Sequence, residues 1–212
     1  MFAKRISKSQ FMMGRQCLKR LWLYNYRKEL IPPLPKDQRR RFEEGHAVGA
    51  LAREYFTGGQ LVATDIKQLQ QAVKRTAELV RSGVKIIYEG TFVFNNVLVR
   101  CDILKKNPDG TWDLIEVKSA TAVKDEHYPD AAIQRYVLEG AGLKINKVLV
   151  MHIDSKFVKH GPIAPEEFFI LADITQGAAG LKEEIIRNLG TFTEILGVGQ
   201  APEIRIGQHC ST

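Results

Sequence analysis

Val97-Leu-Val-Arg-Cys-Asp102-Ile-Leu-Lys-Lys106, the turn Asn107-Pro-Asp-Gly110, and Thr111-Trp-Asp-Leu-Ile-Glu116-Val-Lys118 form the stretch from which the fold follows. Both arms are rich in β-branched and aromatic residues, and the four residues between them carry Pro and Gly. The sequence predicts an antiparallel hairpin. If Asn107 pairs with Thr111, Asp102 falls directly opposite Glu116. A slip of one residue would send Asp102 to the wrong face. Alternate strand residues share a face, so Glu116 and Lys118 point one way and Val117 the other.

The same pattern extends outward. Residues 84–94 read as a strand, and Asn95-Asn96 turns the chain into the segment 97–104. With 111–117 this makes a three-stranded antiparallel meander. A helix is expected over 130–141, then a strongly apolar strand at 147–153, a short extended piece near 167–173, and a helix over 176–196. Before the meander, 65–82 is amphipathic, with Ile66, Leu69, Val73, Ala77 and Val80 on one side and Gly83 closing it. Asp37 is expected to cap a helix reaching about Phe56 and carrying Phe42, Val48, Leu51, Ala52 and Tyr55. Leu30-Ile-Pro-Pro-Leu-Pro35 reads as an extended connection. Ser7 with Gln10 is a capping-box pair opening a helical N-terminal region, which Gly14 is expected to divide.

The fold class that follows is α/β: a three-stranded meander plus a further strand, flanked by helices, with a helical N-terminal region. At 212 residues, with 44% hydrophobic and 26% charged residues, the chain is expected to form a single domain, 1–212. No apolar run approaches the roughly 20 residues of a membrane helix, and the N-terminus has no continuous apolar signal core. Three cysteines do not make a disulfide framework, so a reducing, cytoplasmic setting is expected. There is no Gly-rich phosphate loop after a strand and no nucleophile elbow.

Net charge is +7, unevenly spread. Residues 1–41 hold 12 Lys or Arg against 2 Asp or Glu; the rest of the chain is slightly acidic. A basic N-terminal region on a near-neutral body suits a polyanion such as nucleic acid. It also suits a solvated helix face. Lys19, Arg20, Arg39 and Arg40 are the candidate phosphate contacts, although Arg39 and Arg40 are equally explained as a helix start beside Glu43 and Glu44.

The chemistry centres on Asp102, Glu116 and Lys118. Two carboxylates hold a hard cation such as Mg²⁺ or Mn²⁺. Such an ion activates water and neutralises charge on a phosphate. A lysine beside it can orient that water or stabilise the transition state. Cross-strand ion pairs on a wet face use the same residues. The apolar flanks, Val97-Leu-Val99 and Leu114-Ile115, favour a site. Asp130, after Pro129, reads as the cap of the helix that carries Gln134. Cys101 is expected to be a small core residue facing away from Asp102. His127, His152, His160 and His209 show no metal-ligand spacing.

The order strand–Asp102, strand–Glu116-Val-Lys118, helix–Gln134 resembles the PD-(D/E)XK nuclease superfamily in its RecB-like branch. The resemblance implies a restriction-endonuclease-like core and metal-dependent hydrolysis of DNA. Asp102 and Glu116 would bind the metal, Lys118 would assist catalysis and Gln134 would support the site. The family places a Tyr four residues after the Gln. Here Leu138 stands there, and Tyr136 is offered as a substitute that would contact nucleic acid. The family's first motif is a helical His or Glu. His46 lies in the matching helix with Glu43 and Glu44, but Gly49 stands where the spacing would put the His. His46 is therefore the candidate third metal ligand.

Ile6 to Tyr26 looks like the N-terminal segment of CRISPR-associated RecB-like nucleases, where a Cys at the place of Cys17 helps hold an iron–sulfur cluster. The segments FEEGHAVGALA, VRCDIL, EVKSATAVKDEHYPDAAIQRYVLEGAGL and VLVMHID look closer still to the bacterial domain of unknown function numbered 2779. Members of that family continue past a Gly-x-His-Cys segment, matched here by Gly207 to Cys210, into further cysteines. A [4Fe-4S] cluster needs about four thiolates. The resemblance thus implies a fragment ending inside a C-terminal cysteine motif. Cys17 and Cys210 would be ligands in a longer parent, with no intact cluster expected in this chain. The alternative function is a catalytically inactive nucleic-acid-binding module of a repair or defence assembly.

Overall fold

Two tight turns build the centre of the sheet. Asn95 and Asn96 both take positive φ, 45° and 63°, the geometry of a two-residue hairpin turn whose twist matches that of its strands. They join β3 (Ile86–Phe94) to β4 (Val97–Lys106). At the second turn Gly110 has φ 84°, and Asn107 N–H donates to the Thr111 carbonyl at 2.8 Å. That fixes β4 against β5 (Trp112–Lys118) with Lys106 opposite Trp112 and Ile103 opposite Ile115. The pairing follows the register that the turn predicts and ends at Ile103 and Ile115, one residue short of Asp102 and Glu116.

This computed structural model describes residues 5–33, 35–62 and 68–210, and the side chains of 36–39 and 41 lie outside that description. After β5 the chain forms α5 (His127–Gly140) and returns as β6 (Ile145–Ile153), parallel to β5. A short helix, α6 (Pro165–Phe168), leads into β7 (Phe169–Asp173), antiparallel to β6. Then come α7 (Thr175–Gly180) and α8 (Lys182–Gly197). Ahead of the meander lie α1 (Lys8–Gln16), α2 (Leu18–Tyr26), α3 (Lys36–Tyr55) and α4 (Leu69–Arg81). The architecture is mixed α/β. Among the described residues no helix is long and apolar enough to cross a membrane.

Two further strands are too short to show a period in sequence. β1 (Ile6–Ser7) and β2 (Gln60–Leu61) pair parallel to β4 and β3, and complete a seven-stranded sheet among the described residues. β1 has a particular consequence. β5 covers only residues 103–106 of β4, and β1 covers residues 97 and 98. A notch is left between them, level with Asp102.

The sheet is covered on both faces. The larger core cluster joins Phe11, Leu21, Leu79, Ile133, Ile185 and Phe192 of five helices to Leu104, Leu114 and Val150. The smaller one sets Ala52 of α3 against Tyr88, Ile103, Ile115 and Met151. Each fully buried large side chain of these clusters contributes roughly 1.5–3 kcal/mol.

Several expectations are corrected. The N-terminal helical region divides at Cys17, not Gly14; Gly14 is buried, where a Cβ would lie 2.6 Å from the Phe192 ring. α3 begins at Lys36 behind Pro35 with no side-chain cap, so Asp37 is not its cap, and Phe42 is 53% exposed. α4 starts at Leu69, and Ile66 lies outside the described residues. Its buried line runs through Ala72, Thr76 and Leu79, leaving Ala77 exposed. The expected helix over 176–196 is two helices, α7 and α8, meeting at Leu181. α5 starts three residues early, so Asp130 lies inside its first turn and is not its cap.

Cys101 is the buried core residue expected, but the strand around it is irregular. Ile87 pairs with Leu104 and Gly90 with Cys101, so the β3–β4 register is constant. Yet Ile87, Cys101 and Leu104 all belong to the larger cluster, whereas Tyr88 and Ile103 belong to the smaller. The alternation therefore reverses between residues 101 and 104, and Cys101 lies in the core that Leu114 shares. Glu89, facing Asp102 in this register, takes φ 57°, a conformation costly for a non-glycine residue.

Candidate active site

Asp102 ends the β4–β5 ladder. Its carboxylate accepts the Val117 N–H at 2.7 Å, in place of a backbone partner. Burial, then the nearby Glu116 charge, push its pKa up to about 7. Glu116, 2% exposed, projects from β5. Its Oε1 takes the ammonium groups of Lys118 and Lys8, each at 2.7 Å, and its Oε2 accepts from Gln134 Nε2 at 2.6 Å. Burial opposes the Glu116 charge, but Lys8 and Lys118 outweigh it and hold the carboxyl well below the usual range. Lys118 also donates to Asp130 at 2.6 Å, and Lys8 to Asp130 at 3.3 Å. Burial would discharge both lysines, but Glu116 and Asp130 outweigh it and raise their pKa values above the ordinary lysine range. Burial, then the Glu116 charge, raise Asp130.

Four of the expected residues thus converge: Asp102, Glu116, Lys118 and Gln134. Gln134 is wholly buried, and its Nε2 must be the donor to the Glu116 carboxylate. Its Oε1 is buried and has no hydrogen-bond partner among the described residues. A buried acceptor left unpaired costs about 1–3 kcal/mol. On a side chain bonded to Glu116, such an oxygen suits a bound cation's water shell. The donor set is all oxygen and matches a hard divalent ion.

The sequence alone does not reveal Lys8, and it assigns Asp130 a different role. The i,i+4 spacing of Asp130 and Gln134 does put them on one side of α5. Nothing local announces Lys8. It follows Ser7 directly, and β1 pairing with the start of β4 carries it to the notch. The Ser7–Gln10 capping box forms as expected, with reciprocal bonds of 3.2 and 2.8 Å. Phe11 and Phe192 meet edge to face, holding α1 down. Outside the carboxylates opens a cleft of about 420 Å³, lined by Lys8, Met12, Met13, Gln16, Arg20 and Lys118 among others.

The other candidates are dispersed. His46 is exposed on α3, and no group of three His, Cys, Asp or Glu among the described residues is arranged as a metal-ligand set. Nearby, burial raises the pKa of Glu89 against the charges of Arg100 and Arg53. Tyr136 does not reach the carboxylates. Its hydroxyl accepts from Asn95 Nδ2 at 3.0 Å, at a turn about 17 Å along β4 from Asp102. Arg20 lines the cleft, whereas Lys19 is half-buried on α2. Arg40 pairs with Glu44 at 3.2 Å along α3, and the side chain of Arg39 lies outside the described residues. His127 is buried and its pKa lowered, by burial and then Lys118; its Nδ1 accepts from Lys124 N–H at 3.2 Å, as a neutral ring can. Cys17, half-buried, and Cys210, exposed, are free thiols. Their neighbours touch: Gln16 Nε2 donates to the His209 carbonyl at 3.0 Å.

No protein-family model and no curated protein matches the chain. Among solved structures it is similar to one named as the crystal structure of SSO0001. The two share 11% identity over 92% of this chain and 77% of that one, with a TM-score of 0.37. At that distance the likeness assigns no activity.

Proposed function

We propose that this protein is a metal-dependent nuclease of the PD-(D/E)XK kind, in its RecB-like branch, hydrolysing DNA phosphodiester bonds in the cytoplasm. The observation that carries this reading is the buried Gln134 Oε1, left unpaired among the described residues on a side chain bonded to Glu116, whose charge reaches Asp102. Asp102 and Glu116 would hold Mg²⁺ or Mn²⁺, which supplies Lewis acidity towards water and a phosphate oxygen. Gln134 fixes one Glu116 oxygen by donating to it. Lys118, kept charged by Glu116 and Asp130, does not remove a proton. It donates hydrogen bonds to the attacking water and to charge building on the phosphate. Arg20, at the cleft, would hold the strand by its backbone.

Cleavage of single- and double-stranded DNA with Mn²⁺ or Mg²⁺ tests this, beside Glu116→Ala and an EDTA control. Cleavage should require the metal and Glu116. Cleavage that survives Glu116→Ala would overturn the assignment of the site.

A second reading is a nucleic-acid-binding module without catalysis. The Lys8 ammonium on Glu116 Oε1, where a cation would bind, favours it. Salt-dependent DNA binding with no cleavage under either metal would select it.

A further inference from the structure

We propose that Lys8 is an exchangeable counter-ion: its ammonium holds the cation position on Glu116 until a divalent ion arrives, then turns into the adjoining cleft to meet a substrate phosphate. This rests on the nuclease reading above. Both Glu116 oxygens already accept hydrogen bonds, and Oε1 is the more crowded. Oε2 is held by Gln134, and Oε1 carries two ammonium groups at 2.7 Å. An ion that binds at Oε1 must displace one of them, and the two are not equally held. Lys118 shares a strand and a face with Glu116, so their contact is built into β5. It is also clamped by Asp130 at 2.6 Å. Lys8 arrives from another element, and its second contact with Asp130 is longer, 3.3 Å.

Charge favours the exchange. Glu116, Asp102 and Asp130 carry three negative charges when ionised, against two positive charges on the lysines. A divalent ion added beside both lysines would force three cationic groups together. With Lys8 gone, the ion and Lys118 balance the three carboxylates. The released ammonium has somewhere to go, because Lys8 lines the cleft with Met12 and Arg20. Its backbone need not move. Ser7 caps α1, β1 pairs with β4, and Phe11 is packed on Phe192. Rotation about the four methylenes of the side chain suffices.

Mn²⁺ binding alone, read from the electron paramagnetic resonance of the free ion, tests this without any turnover. Lys8→Met should bind Mn²⁺ about tenfold more tightly than wild type. Glu116→Gln should lose the site. Unchanged or weaker binding by Lys8→Met, with the Glu116→Gln loss intact, would overturn the exchange and make Lys8 a fixed positioning group. Mn²⁺ binding indifferent to Glu116→Gln would overturn the metal site itself, and the exchange with it. Circular dichroism checks that each variant folds, and Lys8→Gln substitutes if Lys8→Met does not. With saturating Ca²⁺, Lys8→Met should bind a single-stranded oligonucleotide about tenfold more weakly. Equal affinity would overturn the phosphate-meeting half.

Discussion

Lys8 and Glu116 are 108 residues apart in the chain and 2.7 Å apart in space. Glu116 lies under the helices, and the Lys8 side chain is about one fifth exposed. Buried pairs of this kind add little net stability, but losing one partner strands the other. The contact ties the basic N-terminal region to the carboxylates, so charge that looks like a solvated tail in sequence belongs in part to the site.

Asp102 gives the pH dependence. An unfolded aspartate titrates near 3.8, and burial with the Glu116 charge raises Asp102 to about 7. Between those values the folded protein binds more protons than the unfolded one. Its contribution to stability therefore falls as pH rises from about 4 to about 7, and is constant above that. Asp102→Asn removes the charge and keeps an acceptor for Val117 N–H. In EDTA, the variant should be more stable than wild type, by a margin that widens between pH 5 and pH 8 to on the order of a few kcal/mol. Thermal melts across that range measure it, and a constant or shrinking margin would refute it.

Gly14 should be intolerant. A Cβ there would stand 2.6 Å from the Phe192 ring, which α1 needs for its docking. Overpacking of this sort costs about 1–3 kcal/mol. Gly14→Ala should therefore lower the melting temperature. It should also lower any metal-dependent cleavage, because α1 carries Lys8. An unshifted melt would show that Phe192 can step aside freely.

The hairpin was legible because its turn residues have one good geometry. Asn107 to Gly110 set the register, and the register brings the pairing to within one residue of Asp102 and Glu116. Gln134 is a site residue only by the resemblance to RecB-like nucleases; helix order alone places it no more firmly than a plain helix-face hydrogen bond. Asp130 was misread because Pro129 suggests a helix start, whereas α5 begins at His127 and frees Asp130 for Lys118. Lys8 had no local signal; a two-residue strand pairing across 91 residues places it. The face of α4 was misplaced by one residue because Thr76, polar by type, is buried as an acceptor for Thr91 N–H at 3.0 Å. The alternation along β4 reverses where Glu89, on the neighbouring strand, takes positive φ, and no sequence pattern marks that place.

The Asn95-Asn96 turn offers a stability test remote from the carboxylates. Both residues hold positive φ, which asparagine tolerates and glycine adopts without penalty. Asn96→Gly should stabilise the protein by a few tenths to about 1 kcal/mol, and Asn96→Val should destabilise it by about 1–2 kcal/mol. Urea midpoints at constant slope would register both. A loss with glycine would mean that the Asn96 side chain contributes more than its backbone costs.

Arg20 and Tyr136 separate two paths for nucleic acid. Arg20 is exposed at the cleft beside Lys8 and Lys118. Tyr136 is tied to Asn95 at the far turn and stacked edge to face on Phe94. Arg20→Glu should weaken oligonucleotide binding and reduce the salt slope by about one. Tyr136→Phe should cost about 1 kcal/mol of stability through the lost hydrogen bond. It should leave affinity and its salt slope unchanged, because the hydroxyl is already spent within the fold. Titrations at several salt concentrations decide between them. Equal affinity losses from both variants would run the strand over the hairpin instead of through the cleft, away from Lys118.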